Sequence, residues 1–316
     1  MSLTQIPGIL VGHASDYDGL TGCTVILCES GAVGGVDVRG SATGTSEFDL
    51  LNPMNVTDRI HGVCLAGGSA FGLEASSGVR RYLEHKGVGY DTGVAKVPLV
   101  PAAILFDLAI GKASAHPTRE MGEAAAAAAT AKPVMEGAVG AGTGATVGKI
   151  MGMRQAMKSG IGSATVSLSK GVMVSALAAV NALGDVLDPA NGKIVAGARK
   201  AHDSREFLNT AEAMKTGSRG GFTPSHTTLV VVATNAHLSK VMANKLAEFA
   251  SLGVARTISP VWTMFDGDVT LALSLGTLDA DVNALGVAAA EAVSQSVLRA
   301  VRLAPTLGGV PGLKAS

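Results

Sequence analysis

Residues 225–235 read Ser-His-Thr-Thr-Leu-Val-Val-Val-Ala-Thr-Asn. An unbroken run of β-branched and apolar side chains predicts a buried strand. A strand of this kind has to be covered by other layers of structure, which sets the frame for the rest of the chain. The run opens on Thr227 and Thr228, straight after a segment rich in Gly, Ser and Pro. Composition thus predicts a mobile loop that gives way to a rigid strand at the threonines. Either these are ordinary strand residues, or one of them is a nucleophile.

The remaining elements follow from the same rules. Strands are predicted over 21–28, 32–38 and 62–68. A helix follows, with Ser69 near its cap and Leu73, Val79, Tyr82 and Leu83 giving a partial apolar stripe. The alanine-rich residues 118–131 predict another helix, 137–149 form a glycine loop, and 163–183 read as two strands. A polar segment spans 202–226, its second half a flexible loop by composition. Beyond the strand at 228–234 come a helix over 238–250, an extended segment over 261–275 and a last helix over 282–303. Strands and helices occur in both alternating and clustered order. That predicts a layered α+β fold with helices outside two sheets, built as one large domain or two intimate ones. No internal repeat is present.

Composition excludes several functions. The chain of 316 residues has 25 basic and 25 acidic residues, and the part from Thr227 onward carries six of each. Such a balance leaves no electrostatic footprint for nucleic acid or a membrane surface. Aromatic residues make up 3%, too few for a base-stacking surface. Cys23, Cys28 and Cys64 form no metal-binding spacing and are expected to be buried reduced thiols, which suits the cytoplasm. No basic region followed by a long apolar stretch opens the chain. The apolar runs are broken by Pro98, Pro101 and Asp107, or by Asn181 and Asp185, short of the about 20 residues that span a bilayer. A soluble intracellular protein is expected.

Three motifs nearly fit and fail. Gly148-Lys149 resembles the end of a Walker loop, but Thr143 stands where its first Gly belongs and Ile150 follows the Lys. Gly140-x-Gly142-x-x-Ala145 matches a loose dinucleotide pattern, yet no acidic residue lies between Glu136 and Asp185 to hold a ribose. Gly67–Gly72 resembles a serine-hydrolase elbow with Phe71 at the last glycine position, so Ser69 reads as a cap rather than a nucleophile. The seven histidines are scattered, without a ligand pair.

The threonine pair fares better. A Thr hydroxyl needs a base to take its proton. If the Thr becomes a chain N-terminus, its own α-amine, with a reference pKa of about 7.7–8.0, serves near neutral pH. A Thr inside a longer chain can liberate that amine by attacking the peptide bond before it. On composition alone, the ordinary strand reading of "TTLVVV" stands beside this one.

Five blocks then occur in order: "AGGSAFGLEASSGVRRYLE" (66–84), "VGAGTGATVGK" (139–149), "VNALGDV" (180–186), "TTLVVVATNA" (227–236) and "FDGD" (265–268). Together they resemble the P1 family of self-processing aminopeptidases and amide hydrolases. That family includes the D-aminopeptidases, the β-peptidyl aminopeptidases and the nylon-oligomer (6-aminohexanoate oligomer) hydrolases. The resemblance implies a four-layer αββα sandwich and a cut between His226 and Thr227. It would leave a large fragment, 1–226, and a small one, 227–316, that stay together. The nylon-oligomer branch uses Thr as nucleophile, at the place of Thr227. Its functional Lys, Asn and two Asp correspond to Lys149, Asn181, Asp266 and Asp268. The serine branch has Ser and Glu in place of the two aspartates. His226 departs from the Asn or Gly usual before the cut.

Each implied residue has a physical role to fill. Asn181 can donate to a developing oxyanion. Lys149 can stabilise that charge or tune the amine. Asp266 and Asp268, two apart on an extended segment, share a face from which to orient Thr227. As ordinary structure, "DGD" is a turn and Asn181 a strand-end cap. The resemblance implies no metal or organic cofactor, a short peptide or small amide as substrate, and a homo-oligomer, a tetramer of processed pairs. An acyltransferase like ornithine acetyltransferase, or an unprocessed non-catalytic homologue, are the alternatives.

Overall fold

The computed structural model describes residues 1–217 and 226–315. Two sheets share one long strand, Thr21–Val38. Its first half pairs antiparallel with Leu10–Asp16 and Ile60–Ala66. Its second half pairs antiparallel with Val269–Leu278. The register shifts between Leu27 and Ala32, where the strand leaves one sheet for the other. The expected separate strands at 21–28 and 32–38 are therefore one element. The polar Glu29-Ser30-Gly31 that reads as a turn is the bend inside it.

The first sheet continues from Ile60–Ala66 to a parallel neighbour, Ala102–Ile104, and ends at Thr45–Ser46. The second runs in the order Ile161–Ser167, Met173–Asn181, Thr227–Ala236 and Val269–Leu278. Strand Thr227–Ala236 is antiparallel to Met173–Asn181 on one side and parallel to Val269–Leu278 on the other.

Side-chain alternation assigns the layers. Leu229, Val231 and Ala233 pack between the sheets against Ile26, Val63 and Leu65. Val230 and Val232 point the other way, against Leu246, Ala250, Val293 and Val297 of helices Lys240–Thr257 and Val282–Arg302. On the far side, Cys23, Val25 and Leu27 pack under Val79, Leu83 and Ala125 of helices Ala75–His85 and Arg119–Ala127. The order is αββα. Covered on both faces, the central strand has no polar face, hence its unbroken apolar run. Each Val or Leu buried there contributes about 1.5–3 kcal/mol.

Helix Arg119–Ala127 begins where Thr118 caps it, accepting a hydrogen bond from the Met121 N–H. It stops short of the expected residue 131 because Thr130 exchanges backbone hydrogen bonds with Val11. Its small residues let it lie directly on Ala75–His85. A Cβ added at Gly122 would sit 1.9 Å from the Ala75 carbonyl oxygen.

Other expectations need correction. Ser69 caps nothing. It opens a 3₁₀ turn, Ser69–Glu74, in the left-handed region, and that turn has no side-chain cap. Residues 261–268 are irregular, and the strand begins at Val269. Within 202–226 a short helix, Thr210–Lys215, forms, while residues 218–225 of the expected loop lie outside the described residues. Helix Val282–Arg302 is long and apolar enough, by length and composition alone, to cross a membrane. Here Leu285, Ala289, Val293 and Val297 bury its apolar side in the outer core. The three thiols are free and buried, as expected.

Candidate active site

Three chain segments converge beside Thr227. The strand Met173–Asn181 ends opposite it, so that Asn181 and Thr227 are directly paired. The strand Val269–Leu278 starts next to it, bringing residues 265–268 alongside. The segment after Val147 supplies Lys149, whose backbone N–H donates to the Leu183 carbonyl at 3.0 Å. Thr227 is 3% exposed. By the two-residue alternation its side chain belongs with Leu229 and Val231, on the face between the sheets. Thr228 belongs to the helix-covered face. Its Oγ1 is buried without a hydrogen-bond partner among the described residues.

Lys149 and Asn181 are one unit. The Lys149 Nζ donates to the Asn181 carbonyl at 2.9 Å and to its Oδ1 at 2.7 Å. The same Oδ1 accepts from the Thr146 N–H at 3.1 Å. The Asn181 Nδ2 donates to the Phe106 carbonyl at 2.8 Å. One hydrogen of this amide, the expected oxyanion donor, is thus taken up by the backbone.

The scissile bond that the sequence suggests is held by 265–267. The His226 N–H donates to the Phe265 carbonyl at 3.0 Å, and the Gly267 N–H donates to the His226 carbonyl at 2.6 Å. A Cβ at Gly267 would lie 2.7 Å from Thr227 Oγ1 and 2.6 Å from the Ala42 carbonyl oxygen. The glycine between the two aspartates therefore lets the backbone approach the hydroxyl. Asp268 Oδ1 accepts the Thr228 N–H at 2.5 Å. Asp266 Oδ2 accepts the N–H and the hydroxyl of Thr263, both at 2.7 Å. Behind them, the Arg39 and Gly40 N–H groups donate to the Asp268 carbonyl and that of Ala42 to the Asp266 carbonyl, tying this segment to the end of the long strand.

Burial sets the titration of these groups. Desolvation pulls Lys149 down to about 7, against the opposing pull of Asp266, Asp107 and Asp268. Burial pushes Asp266 up. It pushes Asp268 well above the usual carboxylate range, aided by the neighbouring Asp266. Two carboxyls and a lysine are thus buried near enough to act on one another's charge, a clustering of perturbed groups of the kind found at functional sites.

A cavity of about 60 Å³ opens beside the site, lined by Phe106, Asp107, Ile110, Lys149, Met153 and His226 among others. Asp107 accepts from Thr21 Oγ1 at 2.8 Å and from the Gly68 N–H at 2.7 Å, and burial raises it to about 6. Lys158, fully buried, donates to the carbonyls of Gly142, Ala145 and Ser159. It pins the glycine loop whose Thr146 reaches Asn181. The sequence reading missed Gly267, Asp107 and Lys158. Gly267 was visible as the middle of "FDGD". Asp107 showed only as a break in an apolar run, and Lys158 carried no signal.

Comparison with known proteins agrees with this architecture. The chain matches peptidase family S58 over residues 1–315. An uncharacterised aminopeptidase of Mycobacterium tuberculosis is 39% identical over 98% of this chain and 96% of its own length. A 6-aminohexanoate-oligomer endohydrolase of Kocuria sp. is 32% identical over 94% of this chain and 85% of its own. Among solved structures, the Burkholderia sp. β-aminopeptidase superposes with a TM-score of 0.71 at 22% identity, covering 99% of this chain and 90% of that one. The L-aminopeptidase D-Ala-esterase/amidase of Ochrobactrum anthropi, described as a variant of the Ntn hydrolase fold, gives 0.73 at 18% identity, covering 98% and 88%. This chain belongs to peptidase family S58 and is a peptidase or amide hydrolase.

Proposed function

We propose that the chain is a self-processing amide hydrolase whose nucleophile is Thr227 and whose substrates are short peptides or amino-acid amides. The observation that carries this reading is the Gly267 N–H on the His226 carbonyl, with Thr227 Oγ1 beside the same glycine. A donor on that oxygen polarises the carbonyl and stands ready for the charge of a tetrahedral intermediate.

The first reaction is intramolecular. Thr227 Oγ attacks the His226 carbonyl carbon, and the bond to the Thr227 nitrogen breaks. That nitrogen takes up the proton lost by the hydroxyl and becomes a free amine. Water then hydrolyses the ester, releasing the His226 carboxylate and restoring the hydroxyl. In later turnovers the α-amine is the base, and a substrate amide replaces the peptide bond.

Before the cut that amine does not exist, and Lys149 can take its part. A neutral lysine amine that donates two hydrogen bonds, here both to Asn181, keeps its lone pair free for a proton. With its pKa brought to about 7, Lys149 holds that form in a large fraction of molecules at neutral pH. Asn181 holds the lysine, and Asp266 and Asp268 fix the segment that carries Gly267.

Intact mass of the freshly purified protein, beside Thr227→Ala, tests the reading. Two chains meeting at 226/227 in the wild type, a single chain in the variant, and amide hydrolysis by the wild type only are expected. Hydrolysis that survives Thr227→Ala overturns it.

A further inference from the structure

The cavity beside Thr227 has a neighbour. Gly152 and Met153, which line the cavity together with Lys149 and His226, also line an open groove of about 530 Å³. The segment begins at the site: the Gly152 N–H donates to the Lys149 carbonyl at 2.9 Å, and Met153–Gln155 follow as a 3₁₀ turn. Arg154 and Gln155 carry the lining outward, and Lys200 and His202 complete it. The two segments are locked together. The Arg199 N–H donates to the Gln155 carbonyl at 2.9 Å, and Gln155 Nε2 donates to the carbonyls of Arg199 and Lys200 at 2.7 and 3.1 Å.

The groove is basic on a chain whose charges balance overall. Its lining holds Arg154, Lys200 and His202, and no Asp or Glu among the described residues. Lys200 pairs with Glu206 at 2.8 Å, and His202 Nδ1 lies 3.8 Å from Asp203. Arg154, which is exposed, has no ion-pair partner among the described residues. Arg199, 8% exposed, is held by carbonyls instead of carboxylates: it donates to those of His202 and, at 2.7 Å, Arg154, and its Nε is buried without a partner among the described residues. Two guanidinium charges thus stand next to the cavity with no carboxylate in contact.

We propose that this groove is a subsite for a carboxylate on the acyl group of the substrate, so that the enzyme favours amides of acidic amino acids, with Arg154 as the main contact and Lys200 as the second. The inference rests on Thr227 being the nucleophile. In that case the acyl residue of each substrate takes the place of His226, which lines the cavity. A side chain that leaves the cavity across Gly152 and Met153 meets Arg154. The planar guanidinium matches a carboxylate with two parallel hydrogen bonds. No internal carboxylate has to be displaced first, so the whole of that interaction is open to the substrate. A neutral side chain of the same length reaches the same place without the charge.

The test compares the α-(p-nitroanilides) of L-glutamic acid and L-glutamine, equal in length and different in charge, on the wild type, Arg154→Ala and Lys200→Ala, with the intact mass of each recorded in parallel. Release of the chain that begins at Thr227, with wild-type kcat/KM for the glutamyl anilide at least about tenfold above the glutaminyl one, is the expected result. That ratio falls to near one in Arg154→Ala and part of the way in Lys200→Ala, and it shrinks in the wild type as salt screens the pair. A cut wild type that hydrolyses both anilides equally, prefers the glutaminyl one or turns over neither overturns the subsite and leaves the nucleophile standing. So does a glutamyl preference that survives unchanged in Arg154→Ala. A wild-type chain that stays whole removes the nucleophile reading, and the subsite falls with it.

Discussion

Asn181 and Thr227 lie directly opposite one another across two antiparallel strands, the last residue of one facing the first of the next. Asn181 in turn holds the Lys149 Nζ with both its carbonyl and its Oδ1. A lysine after a glycine loop and a threonine at a strand start are thereby brought together by a single asparagine. Parallel pairing on the other side adds Gly267 and Asp268. Residues from before and after the proposed cut share one sheet, so the fragments have no reason to separate once the bond is broken.

Thr227 and Thr228 should behave in opposite ways. Thr227→Ala stops self-cleavage. Thr228→Val removes a buried hydroxyl that has no partner among the described residues. Its urea midpoint should match the wild type or correspond to a gain of up to about 1 kcal/mol, with cleavage intact. Cleavage lost in Thr228→Val and retained in Thr227→Ala reverses the assignment of the nucleophile.

Gly267→Ala places a methyl group 2.7 Å from Thr227 Oγ1 and 2.6 Å from the Ala42 carbonyl. Either the hydroxyl or the segment carrying the oxyanion donor has to move. A displacement of about 1 Å at a reacting centre costs on the order of a hundredfold in rate. The time course of cleavage on a denaturing gel should slow by about that factor, while circular dichroism shows a folded protein. A variant that cuts itself at the wild-type rate removes the close approach from the argument.

The layers were legible because each strand carries its burial in its side chains. The run 229–233 is apolar at every position, and the structure buries both of its faces. Residues 21–38 were less legible. Glu29-Ser30-Gly31 has the composition of a turn, and only the neighbours on either side make it a bend that crosses from sheet to sheet. At the candidate site, Lys149, Asn181, Asp266 and Asp268 were singled out by the ordered blocks alone; the fold pairs Asn181 with Thr227, sets Lys149 on Asn181 and holds the Thr228 N–H on Asp268. Gly267 acts through its N–H and its missing Cβ, neither of which leaves a chemical mark in a sequence. Lys158 gave no signal because a lysine is ordinarily a surface residue, and its three carbonyl partners come together only in the fold.

His13 gives the fold an acid limit. Its Nδ1 is 2.9 Å from Thr24 Oγ1, which also accepts the Ala141 N–H of the glycine loop. Desolvation lowers its pKa from 6.5 to about 4. A depressed histidine favours the folded state above its unfolded value, and that contribution is lost as pH falls from 6.5 through about 4. One such group steepens the loss by at most about 1.4 kcal/mol per pH unit. Between pH 7 and 4.5 the urea midpoint of the wild type should fall further than that of His13→Gln, which cannot titrate. Parallel curves for the two proteins exclude His13 as the cause.

Lys149 should give self-cleavage its pH dependence. Its pKa falls from 10.5 to about 7 on burial, so the neutral amine is scarce below pH 6 and dominant above pH 8. If this amine takes the Thr227 proton, cleavage after dilution from denaturant is slow at acid pH, rises through about 7 and then levels. Lys149→Arg keeps the charge but has no accessible neutral form. Its cleavage should be slower by about a hundredfold or more, the range of a lost general base, with no rise near pH 7. Electrostatic stabilisation by a charged lysine gives the opposite slope, a rate that falls as pH passes 7, and in that case Lys149→Arg retains most of the activity. A rate that is flat from pH 6 to 8.5 in the wild type excludes both roles, and the base for the first cut then has to be sought in the Asp266 and Asp268 pair.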